Sequence, residues 1–130
     1  MTASITSTPR STVALRVGLA AVVAVAANTV VALVAAALDT GGIGMGLTPV
    51  SYVPATLIGV LAGTAGWALV ARRVPHLLRI LVPSVLLLSW IPDLSLLAAG
   101  ATAANVVGLM LMHTLVASAV VLAARTGRRH

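Results

Sequence analysis

Few side chains in this sequence can do chemistry, and the first of them is His113. It lies near the centre of an apolar run from about Ala101 to Ala124, where an ionisable group is costly and a functional role is the default hypothesis. Asn28 sits at a comparable depth in the first apolar run, and Asn105 stands two helical turns, about 12 Å of rise, from His113 toward Asp93. An imidazole, two amides and a carboxylate are the materials of a proton or ion route through a membrane. The same residues serve a plainer end. A neutral His113 donating one hydrogen bond across a bundle, to Asn28 if those helices touch, would fix helix register for about 1 kcal/mol. A route also needs polar access from both ends, and the halves of these segments remote from Asp93 carry little polarity, so the sequence favours the register-fixing role.

Other chemistries lack their parts. Haem would need a second axial ligand at suitable depth, but His76 falls in a loop and His130 at the end of the chain, so two copies of His113 would be required. The absence of cysteine removes disulfides and thiolate-held metals. Gly41, Gly42, Gly44 and Gly46 form a cluster without the Lys and Ser/Thr of a phosphate loop, and read as a flexible connection. Ser84, Ser89 and Ser118 are framed by no nucleophile motif. Both acidic residues are aspartates, so the embedded glutamate of small four-helix multidrug exporters is missing; with no phenylalanine, the aromatic track of small fluoride channels is missing too. No catalytic, cofactor-binding or metal-binding residue is expected.

The elements that must position His113 follow from composition. The 130 residues are 60% hydrophobic and 8% charged, with a mean hydropathy of +1.13. Too little polar surface remains for a soluble globule, so lipid is the solvent. Four runs, approximately 17–38, 50–71, 77–91 and 101–124, are expected to form an all-α, up-and-down bundle of four transmembrane helices. The third is expected to stop at Pro92 and Asp93. Short connections predict that consecutive helices are antiparallel neighbours in a single domain over residues 13–130, after a disordered, Ser/Thr-rich tail over 1–12. A cleaved signal peptide ending near Ala35 to Ala37 is the competing reading, but the apolar run is too long for one.

Charge orients the bundle. Arg10, Arg16, Arg72, Arg73, Arg79, Arg125, Arg128 and Arg129 all fall on one side, whereas Asp39 and Asp93 fall in the alternate connections. Arginine-rich loops are retained inside, so both termini are expected in the cytoplasm and the protein in the plasma membrane. The net charge of +6 is not arranged beside stacking aromatics, which argues against nucleic acid; the expected partner of the arginines is the anionic inner leaflet of the bilayer. Tyr52 and Trp90 are placed near the outer boundary and Trp67 near the inner one, as interfacial aromatics.

Packing signals are also present. Gly18, Ala21, Ala24, Asn28, Ala32 and Ala35 recur every three or four residues, giving the first helix a face of small side chains. Gly59, Gly63 and Gly66 give the second helix a surface for close approach, read first as packing within the chain and next as homodimerisation. Pro54 and Pro83 are expected to open hydrogen-bond gaps that Thr56 and Ser84 can partly fill.

Asn28 in the Ala/Val-rich first helix, Pro54-Ala55-Thr56 running on to Gly66-Trp67, Leu86 to Leu88, and Leu109-Met110-Leu111-Met112-His113 together resemble a family of small actinobacterial four-helix membrane proteins known as a domain of unknown function (6069 type). The resemblance covers nearly all of the chain after the tail. It implies a four-helix fold and plasma-membrane residence, supplies no activity or cofactor, and its Met-His pair coincides with His113. The expected function is that of a non-catalytic accessory or self-associating membrane component, as a homo-oligomer or within a larger membrane complex. A small transporter or channel using His113, Asn28 and Asn105 is the alternative.

Overall fold

A computed structural model describes residues 10–126. Four helices account for nearly all of it: α1 (Arg10–Leu38), α2 (Pro49–Arg73), α3 (Leu78–Ser95) and α4 (Ala103–Thr126). A 3-10 turn, Pro75–Leu77, leads into α3, and a second, Leu96–Ala99, leads out of it. No strand occurs among the described residues. With those turns included, the four rods are 29, 25, 25 and 24 residues long and apolar enough to cross a membrane. This is a multi-pass membrane protein. Lipid offers no partner to free backbone groups, and helices satisfy their own.

Exposure supports the same solvent. Leu19, Val22, Leu33, Ile58, Ile80 and Leu88 are each more than 60% exposed, a surface that would aggregate in water and is at home among acyl chains. The described arginines, Arg10, Arg16, Arg72, Arg73, Arg79 and Arg125, lie at or near the helix ends that gather on one side of the molecule.

Helix ends depart from the sequence expectation in instructive ways. The first nine residues of the expected tail lie outside the described residues, but Arg10, Ser11 and Thr12 already form the first turn of α1. Pro75 stops α2, because it cannot donate to a helical carbonyl and restricts the residue before it. Pro92 was expected to stop α3 in the same way and does not: Pro83 and Pro92 both lie within that helix. Proline already has a helical φ, and ending the helix inside lipid would strand more carbonyls than the single one that loses its donor. The Ser95 hydroxyl bonds the carbonyl of Pro92 at 2.6 Å, and the rod ends only at Gly100, whose φ of 90° is left-handed. Asp93 is therefore inside a helix and not in a connection.

The packing is unequal. α4 touches the other three helices, most extensively α1; α3 leans on α4 and barely meets α2. Consecutive helices are thus not all close neighbours. Of the predicted small face of α1, Ala21, Ala24, Asn28, Ala32 and Ala35 are buried, while Gly18 is not. One core cluster joins Ala32, Ala35, Leu47, Tyr52 and Met112, and a second joins Ala21, Ala24 and Val60. Tyr52, placed near the outer boundary and in the first turn of α2, also belongs to this core and donates its hydroxyl to Thr29 Oγ1 at 3.0 Å.

Candidate functional site

α3 presents Asp93 to α4, where the carboxylate Oδ2 lies 2.8 Å from His113 Nδ1. The same ring nitrogen is 3.0 Å from the carbonyl oxygen of Leu109, one turn earlier. Two acceptors on one nitrogen require it to carry the proton, so Nδ1–H is shared between carboxylate and carbonyl. Nε2 forms no hydrogen bond among the described residues and is left for another group. The pair is lopsided in exposure: the Asp93 side chain is 8% exposed and that of His113 44%.

His113 opens onto a groove. Because α3 meets α4 without closing on α2, a cavity of about 480 Å³ runs between α2 and α3 over α4. Gly59, Gly63 and Gly66 line it from α2, Leu81, Val85 and Leu86 from α3, and Val116 and Val120 from α4. Ser89 is there with His113, but its hydroxyl is turned to the Leu86 carbonyl at 2.6 Å. A serine hydroxyl donating to its own helix is not activated by an imidazole. The geometry of a nucleophile and its base is absent at this position.

The other predicted site residues are elsewhere. Asn28, 1% exposed, donates from Nδ2 to Thr56 Oγ1 at 2.8 Å across α1 and α2, and its Oδ1 has no partner among the described residues. The expected bond from Asn28 to His113 is not formed, although their helices do touch. Asn28 shares the buried face of α1 with Ala24 and Ala32, whereas His113 is one residue beyond the buried Met112 and so turned about 100° away around α4. Thr56 is thereby committed to Asn28, and Ser84 makes no side-chain hydrogen bond among the described residues. Neither fills a proline gap.

Asn105 is fully buried and reads the backbone of Met45 on both edges. Its Oδ1 accepts from Met45 N at 3.0 Å, and its Nδ2 donates to Met45 O at 2.8 Å. It therefore belongs to the connection after α1 and is not a step between His113 and Asp93. That connection is tied down at a second point, where Thr102 Oγ1 donates to Asp39 Oδ1 and accepts from Asn105 N at 3.2 Å. Asp39 Oδ2 also accepts from Gly44 N at 2.9 Å. The glycine loop, expected to be flexible, is thus folded around Asp39 and pinned to α4. The glycines are required: a Cβ on Gly42 would overlap the Asp39 carboxylate, and Gly46 has a φ of +77°.

Sequence reasoning missed Thr102 and Met45, and gave Thr56 a proline gap to fill in place of its partner Asn28. Its buried place could have been found, since Tyr52, Thr56 and Val60 recur every four residues along one face of α2. Thr102 carries a helix-start signal, a threonine three residues before an asparagine whose N–H it caps. Met45 acts only through its backbone and left no trace in its side chain. Of the predicted glycines, Gly59 and Gly63 face α4, where a Cβ would lie 3.0 Å from Val116 Cγ1 and 2.7 Å from Val120 Cγ2 respectively; at Gly66 nothing lies within 4 Å. Another close approach went unpredicted: a Cβ on Gly108 of α4 would stand 2.7 Å from Ala35 Cβ on α1.

A family model described as a family of unknown function, DUF6069, matches residues 8–130. No curated protein and no solved structure matches the chain.

Proposed function

Because the chain belongs to the family of unknown function DUF6069, whose description supplies no activity, we propose from its geometry that it is a non-catalytic integral membrane protein. It acts by association, as an accessory subunit or a self-associating component. One observation carries this reading. Polar side chains pair in separate places, among them Asn28 with Thr56, Tyr52 with Thr29, Asn105 with Met45, and Asp93 with His113, and among the described residues no hydrogen bond joins these pairs into a continuous path. Each fixes one element against another, the recognised use of polar groups between membrane helices. The gathering of arginines at one end supports placing that end, with both termini, in the cytoplasm of a plasma-membrane protein.

In-membrane crosslinking at native expression tests the proposal. One discrete adduct is expected, either a multiple of this chain or a complex with one defined partner. A chain that stays monomeric while proteoliposomes holding it conduct protons above protein-free vesicles would overturn it.

A second reading, a small proton-handling transporter, is favoured by the free Nε2 of His113 facing the groove. Asn28 and Asn105 are engaged elsewhere, so such a transporter would work through Asp93 and His113 alone. Proton flux abolished by His113→Ala would select it.

A further inference from the structure

The open side of α3 continues past the groove to the arginine-bearing end of the molecule. There a second cavity, about 720 Å³, is lined by His76, Arg79, Pro83 and Arg125. It shares Trp67, Leu78, Val82 and Val121 with the groove, so the two form one continuous trough, cationic at its mouth and apolar along most of its length, with Ser89 and His113 at the far end. Each part falls within the range of about 300–1,000 Å³ usual for ligand sites.

We infer that this trough is a site for one anionic phospholipid, its phosphate held between Arg79 and Arg125 at the mouth and an acyl chain lying along α4 between α2 and α3. Charge complementarity selects the occupant. Arg79 comes from the start of α3 and Arg125 from the end of α4. No acidic side chain can neutralise them, because the only two in the sequence are Asp39 and Asp93, one beyond the far end of α1 and the other paired with His113 near the far end of α3. A guanidinium binds phosphate oxygens through paired N–H donors, and basic pockets between helices at a membrane surface are suited to anionic headgroups. The chain-binding half has the complementary character: Leu81, Val85, Leu86, Val116 and Val120 offer only carbon, and Gly66 leaves its width unfilled. Arg72 and Arg73, on the neighbouring end of α2, line neither cavity. They provide an internal control for diffuse attraction to a charged leaflet.

Native mass spectrometry of the full chain, released from detergent micelles carrying equal amounts of phosphatidylglycerol and phosphatidylcholine with the same acyl chains, reads the site directly. One phosphatidylglycerol per chain is expected to be retained preferentially. The variant R79Q/R125Q is expected to lose about 25-fold of that preference, roughly fivefold for each arginine near an anionic surface, while R72Q/R73Q keeps it within about twofold. Gly66→Leu, which fills the apolar half, should lower retention of both lipids, with circular dichroism confirming unchanged helix content in every variant. Equal retention of the two lipids by the parent chain overturns the inference, as does equal loss in R79Q/R125Q and R72Q/R73Q. Displacement of phosphatidylglycerol by inorganic phosphate would make the mouth a phosphate site without a lipid, and a dimer that excludes lipid would give the trough to a second copy; either result also overturns it.

Discussion

The two sides of α4 are built by different means. On one, α1 and α2 close against it through small side chains: Ala21, Ala24, Ala32 and Ala35 are buried, and Gly108 leaves no room for a Cβ beside Ala35. On the other stands α3, whose residues Leu78–Ser95 include no glycine and no alanine. Large branched side chains hold it off α2 and open the trough. In lipid there is no hydrophobic drive between helices, so close approach depends on small residues, and where these are missing polar contacts must hold the helix. α3 shows such a substitution: Asp93 binds His113 at 2.8 Å and Trp90 Nε1 donates to the carbonyl oxygen of Met110 at 3.2 Å. The sealed side adds its polar ties to close packing of small residues, whereas the open side has polar ties without that packing.

The sharpest way to break this contrast is Asn105→Leu on the sealed side. It removes two part-buried hydrogen bonds to the backbone of Met45 and puts a side chain that cannot pair in their place. Each such bond contributes about 0.5–1.5 kcal/mol. A loss of up to about 3 kcal/mol is expected in reversible unfolding followed by circular dichroism in mixed micelles. A loss under about 1 kcal/mol would mean that the loop is not held by this residue. Gly108→Ala follows, at about 2 kcal/mol, because its methyl meets the Ala35 methyl at the root of a helix and only movement of α1 or α4 can relieve the overlap. Gly63→Ala should cost less, since its neighbour is the tip of Val120, which can turn.

On the open side, His113→Ala and Asp93→Ala should differ although they cut the same bond. Removing His113 leaves a carboxylate that is 8% exposed without its donor, while removing Asp93 leaves an imidazole that is 44% exposed and still bonded to Leu109. About 1.5 kcal/mol is expected for His113→Ala and about half of that for Asp93→Ala, since the first leaves a carboxylate without its donor while the second leaves an imidazole N–H that keeps a partner. The loss should be local. Hydrogen exchange should accelerate along α3 and leave α1 unchanged, and uniform acceleration in all helices would contradict the division into two sides.

How much of this could be read beforehand depends on which force placed each residue. The four rods and the small face of α1 follow from hydropathy and period, because lipid imposes them residue by residue. The grouping of His113 with Asp93 was half legible: both were singled out, but Pro92 was given authority to end a helix that the bilayer keeps intact, so Asp93 was put in a loop. For Asn28 and Asn105 it was the azimuth that the sequence left open. Depth follows from counting residues along a helix, whereas azimuth depends on which neighbour each face meets. The pinning of the glycine loop was illegible at Met45, which contributes only backbone, yet legible at Thr102 and Asn105 as a helix cap.

The smallest effect tests the open side most directly. At Gly66 an added Cβ meets nothing within 4 Å, so Gly66→Ala introduces no overlap and removes the conformational freedom of a glycine from the interior of α2. Helix propensity then favours alanine by up to about 1 kcal/mol. Slight stabilisation, or none, is expected in the unfolding assay where Gly108→Ala is clearly destabilising, although the two substitutions are chemically identical. Should Gly66→Ala destabilise as strongly, α3 or a second copy must close on that face in solution, and the trough between α2 and α3 would be a packed interface.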